Sequence, residues 1–190
     1  YKLLLQNLSK GISIQEIYMK IITPVFKQIG KLYNNGEVSV DKTHFFTHST
    51  MKIMNQLYYY FPQKETKGYT AVSITPPGEK HNIGLRMVND LLVIEGWNIY
   101  FSKEHLPIKN IINAIKENEV DLLIISATMF YNLNSVENII DNVQSEDIKI
   151  LVGGKAFDKI NNVQKKLNVD GYANNAQEAV EIAGNLMKIN

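Results

Sequence analysis

Cysteine is absent from the 190 residues. This excludes disulfides, thiolate zinc sites and cysteine nucleophiles, and it is compatible with a reducing cytoplasm. Long apolar runs are missing too: none approaches the roughly 18 residues that span a bilayer, and no charged-then-apolar leader opens the chain. The expectation is a soluble, cytoplasmic protein. Nor is there an excess of one charge, because 20 basic and 19 acidic residues leave a net charge near +1. A chain-wide electrostatic footprint for nucleic acid is therefore lacking, and any DNA contact would have to come from another segment. No convincing nucleophile or acid–base pair stands out, so a non-enzymatic protein is expected. Apolar material is plentiful at 45%, enough for one large domain or two small ones. The chain opens at Tyr1 inside an already helical pattern, which suggests a fragment without its natural amino terminus.

Residues 1–63 read as a helical bundle. Ser13 and Glu16 form an S-x-x-E capping box, and Ile14, Ile17, Tyr18, Ile21, Ile22, Val25, Phe26 and Ile29 follow helical spacing. Pro24 predicts a kink or a division of this helix. Asn34, Asn35 and Gly36 break it, Asp41 offers an N-cap, and a further helix runs to about Tyr60 before Pro62.

Lys64 to Gly68 is a polar linker, and the pattern changes over residues 68–190. Apolar runs of strand length at 69–74, 97–101, 121–127, 148–152 and 169–172 alternate with helical segments near 82–95, 107–118, 133–144, 155–167 and 175–188. Such alternation means parallel strands joined by helical crossovers. The fold expected is α/β: a helical bundle followed by a five-stranded, flavodoxin-like (Rossmann-like) sheet. In this topology three loops meet at the carboxyl edge of the strands. They are Thr75 to Gly84, the segment Ser126, Ala127 and Thr128, and the pair Gly153 and Gly154.

The first of these loops, TPPGEKHNIG, carries the chemistry. Pro76 and Pro77 restrict the backbone, while Gly78 and Gly84 permit turns or close approaches. His81 can offer a neutral imidazole nitrogen to a metal, with Glu79 orienting the other nitrogen. One histidine is too few for a zinc cage. It is enough for a metal that arrives already held in a macrocycle and needs only an axial ligand.

With Glu79, His81 and Gly84 in its fixed positions, this stretch resembles the E/D-x-H-x-x-G signature of cobalamin-binding domains. The form PPGE-x-H-x-I-G resembles most closely the adenosylcobalamin-dependent photoreceptor regulators of the CarH/LitR type, within the MerR family. The resemblance implies adenosylcobalamin as cofactor, with His81 as lower axial cobalt ligand. Ser126, Thr128, Gly153 and Gly154 would line a slot for the cofactor's nucleotide tail, although Thr128 stands where Leu is usual. In the run Ile29 to His44, Tyr33 takes the place of a Trp, Val40 of an adenosyl-contacting Val and Thr43 of a Glu. His44 matches the His that caps cobalt from above after photolysis.

Two functions of different classes fit. The leading expectation is a light-sensing module that forms a tetramer in the dark and acts on DNA through a separate amino-terminal domain. The alternative is a corrinoid protein that carries a methyl group between partner methyltransferases. A relative that has changed or lost its ligand is a third. Plainer readings stand beside each residue. His81 as an exposed helix-start histidine, Glu79 as a solvated charge and Gly153–Gly154 as an ordinary tight turn all remain open. His44 and His48 share a helix face at a spacing also used by zinc sites, and His105 reads as an ordinary loop residue.

Overall fold

In the computed structural model, residues 6, 8, 10–62, 64–102 and 106–188 are described. His105 lies outside them. The chain divides into two compact units, Tyr1–Gln63 and Lys64–Asn190.

The first unit is helical. Ser13 caps α1 (Ile14–Glu16) through a complete capping box, its hydroxyl accepting from the Glu16 amide at 3.1 Å. The helix then widens into π turns over Ile17–Ile22 and returns to α geometry in α2 (Thr23–Asn34). Pro24 therefore does not end the helix. It sits in the first turn of α2, where a missing N–H costs least, and the wide turns before it carry the chain into that position. The Thr23 amide and hydroxyl both donate to the Tyr18 carbonyl, the hydroxyl at 2.9 Å. Helix α3 (Val40–Leu57) begins after Ser39, so Asp41 lies in its first turn, not at its N-cap. There its charge still complements the helix dipole.

The second unit is a parallel sheet of β1 (Thr70–Ile74), β2 (Asn98–Phe101), β3 (Leu122–Ser126), β4 (Lys149–Gly153) and β5 (Gly171–Ala173), in the order β2-β1-β3-β4-β5. Helices α4 (Ile83–Ile94), α5 (Ile108–Glu117), α6 (Leu133–Val143) and α7 (Val163–Leu167) lie in the four crossovers, and α8 (Ala176–Leu186) follows β5. The flavodoxin-like Rossmann architecture expected from the alternation is what forms. The inner strands β1, β3 and β4 run apolar because both faces are covered. Val72, Ile74, Leu123, Ile125, Ile150 and Val152 form one core face with Ile111, Ile115, Val136, Ile139 and Ile140 of α5 and α6. On the other face, α4 packs against α8.

One crossover differs from expectation. Instead of a helix over 155–167, a 3-10 turn, Lys155–Phe157, is followed by irregular chain and the short α7. Asn162 and Asn168 bound α7 with left-handed φ values of 53° each, a conformation that ends helices and that Asn tolerates well.

The order β2-β1-β3 places a reversal of winding between β1 and β3, where open sheets of this kind have their ligand crevice. Register aligns Ile74 with Ile125 and Ser126 with Gly153. The loops after β1, β3 and β4 thus leave the sheet side by side.

Candidate functional site

After β1, Pro77 and Gly78 form a turn, with Gly78 at φ +80°. The Glu79 amide closes that turn on the Pro76 carbonyl at 3.1 Å. Glu79 then points inward, its side chain 0% exposed, whereas the His81 side chain is 58% exposed.

Five donors hold the buried carboxylate. Oε1 accepts from the His81 backbone N–H at 3.0 Å and faces His81 Nδ1 at 2.6 Å. Oε2 accepts from the backbone N–H of Thr128 at 2.8 Å, that of Met129 at 3.0 Å and Asn132 Nδ2 at 3.0 Å. Burial alone pushes the Glu79 carboxyl up. The hydrogen bonds from the His81 ring, then from the amides of Met129, His81 and Thr128, outweigh it and hold the group at about 2, against an ordinary 4.5.

An ionised carboxylate accepts and cannot donate, so the Nδ1 of His81 carries a proton. In the neutral tautomer this bond selects, Nε2 is the free lone pair, the arrangement found behind metal-ligating imidazoles. Among the described residues no group of three or more His, Cys, Asp or Glu is placed to hold a metal ion. The donor set therefore suits a metal that brings its own equatorial ligands and takes one nitrogen from the protein. Gly84 agrees with this. It is exposed in the first turn of α4, and a Cβ there would meet nothing within 4 Å. Internal packing does not demand the glycine, whereas close approach of a ligand beside His81 would.

The structure brings together Glu79, His81 and the backbone of Thr128. Ser126 is half-buried at the end of β3; the bonds to Glu79 come from the two amides further on and from Asn132, not from its hydroxyl. Gly154, with φ +107°, packs on the Ala127 backbone, and Gly153 pairs with Ser126 and Ala173. In the helical unit, Tyr33, Val40 and His44 are exposed, and the Thr43 hydroxyl donates to the Val40 carbonyl at 2.7 Å. His48 lies one turn after His44 and is exposed. Met129 and Asn132 are the participants that sequence reasoning missed. The only signal was the position of their loop after β3.

The loops, the clamped imidazole and the sheet order define a cofactor-binding domain of the doubly wound class. A B12 binding domain model matches residues 69–181 and a second B12 binding domain model matches residues 2–58. The chain belongs to the B12-binding family, and its cofactor is a cobalamin-type corrinoid. Dimethylamine corrinoid protein 2 of Methanosarcina acetivorans is 28% identical over 178 residues, covering 90% of this chain and 82% of that protein. The solved monomethylamine corrinoid protein of Methanosarcina barkeri has the same fold, with a TM-score of 0.85, 21% identity and coverage of 98% of this chain and 90% of that one. The methanol:cobalamin methyltransferase complex of the same organism contains a chain similar at a TM-score of 0.58 and 17% identity, covering 91% of this chain and 67% of that one.

These comparisons correct the leading expectation. The similar proteins are methylamine corrinoid proteins, not photoreceptor regulators. The light-sensing, MerR-family and transcription-regulation assignments fall, and the dark-state tetramer and the DNA contact fall with them. The reason is that the E-x-H-x-x-G signature, on which the expectation rested, is shared by both groups and cannot tell them apart. Tyr33 and Thr43 already depart from the Trp and Glu that the photoreceptor resemblance implies. Among the described residues no helix is long and apolar enough to cross a membrane.

Proposed function

We propose that this chain is a corrinoid protein that carries a methyl group between methyltransferase partners in the cytoplasm, with His81 the residue that would offer Nε2 to the cobalt. The observation that carries the ligand assignment is the Glu79–His81 pair, in which a fully buried anion fixes the tautomer of an exposed imidazole. Similarity to a dimethylamine corrinoid protein along most of both chains supports the cargo and makes a methylated amine the class of methyl source. The fold shared with a chain of a methanol:cobalamin methyltransferase complex agrees with a protein partner.

When bound, the corrinoid supplies a cobalt that accepts and releases the methyl group. The protein's own part is binding, orientation and electrostatics. Glu79 stays ionised and holds a proton on His81 Nδ1, which turns Nε2 outward, and Gly84 keeps the surface beside the imidazole low. Ser126, Thr128, Gly153 and Gly154 are assigned to the cofactor's tail. In the helical unit, Tyr33, Val40, Thr43 and His44 are assigned to corrinoid contact. The cargo in this reading would be a methyl group, in place of the adenosyl group first expected.

Reconstitution with hydroxocobalamin and methylcobalamin tests the reading. Wild type is expected to retain one corrinoid per chain and to show a cobalt spectrum that His81→Ala changes. Once a chemical reductant has taken the hydroxocobalamin form to cob(I), it is expected to take the methyl group of an added methylamine in the presence of a methylamine-specific methyltransferase, with release of the demethylated amine. Failure to retain any corrinoid, or a spectrum indifferent to His81→Ala, would overturn the assignment.

A further inference from the structure

We propose that Asn132 is a positioning residue for the axial ligand: its carboxamide holds Glu79 in place and so keeps the His81 imidazole set for cobalt, without itself touching the corrinoid. This rests on the corrinoid reading above and deepens it.

Of the five donors on Glu79, two belong to His81 itself and two are backbone amides of Thr128 and Met129. The fifth is Asn132 Nδ2. It is the one donor that a substitution removes while leaving both the main chain and the imidazole intact. The residue is 4% exposed, so its amide has no recourse to bulk water.

Its place in the chain makes the contact more telling. Asn132 stands at the N-cap of α6, where an Asn side chain ordinarily takes one of the helix's free amides. Here it makes no capping bond. It reaches instead to a carboxylate 53 positions earlier in the chain. On its other side, Oδ1 lies 3.8 Å from where a Cβ on Gly78 would be. The carboxamide thus sits between the turn that presents Glu79 and the 3-10 turn Phe130–Asn132, which the Asn132 amide closes on the Met129 carbonyl at 3.0 Å. A helix cap has been given up for a bond to the residue that orients the ligand.

Two substitutions separate this role from space-filling. Asn132→Leu keeps the volume and deletes the donor. Asn132→Asp keeps the shape and turns an acceptor toward Oε2. Corrinoid-loaded protein would be reduced to the cob(II) state and read by electron paramagnetic resonance, with isotope-labelled histidine to tell the protein's nitrogen from the cofactor's own base. The ratio of imidazole-bound to imidazole-free cobalt is expected to fall about tenfold in Asn132→Leu, within the range of outer-sphere substitutions at metal sites. It should fall at least as far in Asn132→Asp, with corrinoid content unchanged in both. Asn132→Ser, which leaves a shorter donor, is expected to fall between and covers the case in which Leu disturbs the turn. Thermal melts of the apo-proteins establish that each variant folds.

Imidazole ligation that survives Leu, Asp and Ser alike overturns this proposal and leaves the corrinoid reading standing. A wild type whose cobalt spectrum ignores His81→Ala overturns both.

Discussion

His81 Nδ1 and Glu79 Oε1 lie 2.6 Å apart, short for an N–H···O bond and in keeping with an ionised acceptor. The ring's orientation and its proton are therefore set by a carboxylate that solvent does not reach.

That carboxylate makes stability depend on pH. Because folding lowers the Glu79 carboxyl from 4.5 to about 2, its contribution is complete above pH 4.5 and is lost as the pH falls toward 2. The shift corresponds to a contribution of about 3 kcal/mol. Glu79→Gln is expected to lower stability by that order at neutral pH, and the two proteins should converge in acid. Urea unfolding of both at neutral pH and at about pH 3 checks this. A deficit that is constant across the range would contradict it.

Two glycines should respond in opposite ways. Gly154 has φ +107°, and a Cβ would fall on the Ala127 carbonyl, which already accepts the Ala156 amide at 3.2 Å. Gly154→Ala is expected to destabilise the apo-protein by about 2 kcal/mol or more. Gly84 is helical with open space beside it, so Gly84→Ala should leave apo stability unchanged or raise it by about 0.5 kcal/mol. Corrinoid affinity should nonetheless fall. Calorimetry of the apo-proteins, paired with corrinoid titration, reads both effects.

Asn89 of α4 is 4% exposed, and both polar atoms of its carboxamide are without a hydrogen-bond partner. A buried amide left unpaired costs about 1–3 kcal/mol. Asn89→Leu, close in volume, should therefore raise the apo-protein's unfolding midpoint. An unchanged or lowered midpoint would contradict the assignment of that cost to Asn89.

Glu95, at the end of α4, pairs with Lys64 at 2.8 Å and Lys67 at 3.2 Å. The Lys64 ammonium beside it is the foremost cause of its lowered carboxyl. All three side chains are 37–45% exposed, so solvent screens the pairs. Glu95→Gln should cost less than about 1 kcal/mol, a loss that salt diminishes further. Unfolding at low and high ionic strength checks both parts.

The sheet could be read from the sequence because strands buried on both faces are written as short apolar runs, as in Leu122 to Ile125. The imidazole was legible because Glu79 and His81 are two residues apart and act locally. Oε2 was not, since its donors follow another strand and depend on β1 pairing with β3. The break before α7 was hidden because Asn162 and Asn168 act through backbone conformation, which periodicity does not register. The choice between photoreceptor and methyl carrier was not legible, because the E-x-H-x-x-G motif is common to both and the match at His44 outweighed the departures at Tyr33 and Thr43.

Thr128, Met129 and Asn132 meet Glu79 only after chain segments some fifty positions apart have come together. An unfolded chain has the histidine but nothing to aim it. Cofactor capture should accordingly be a property of the native state, and holo-protein should melt at a higher temperature than apo-protein, with the gap widening as free corrinoid is added.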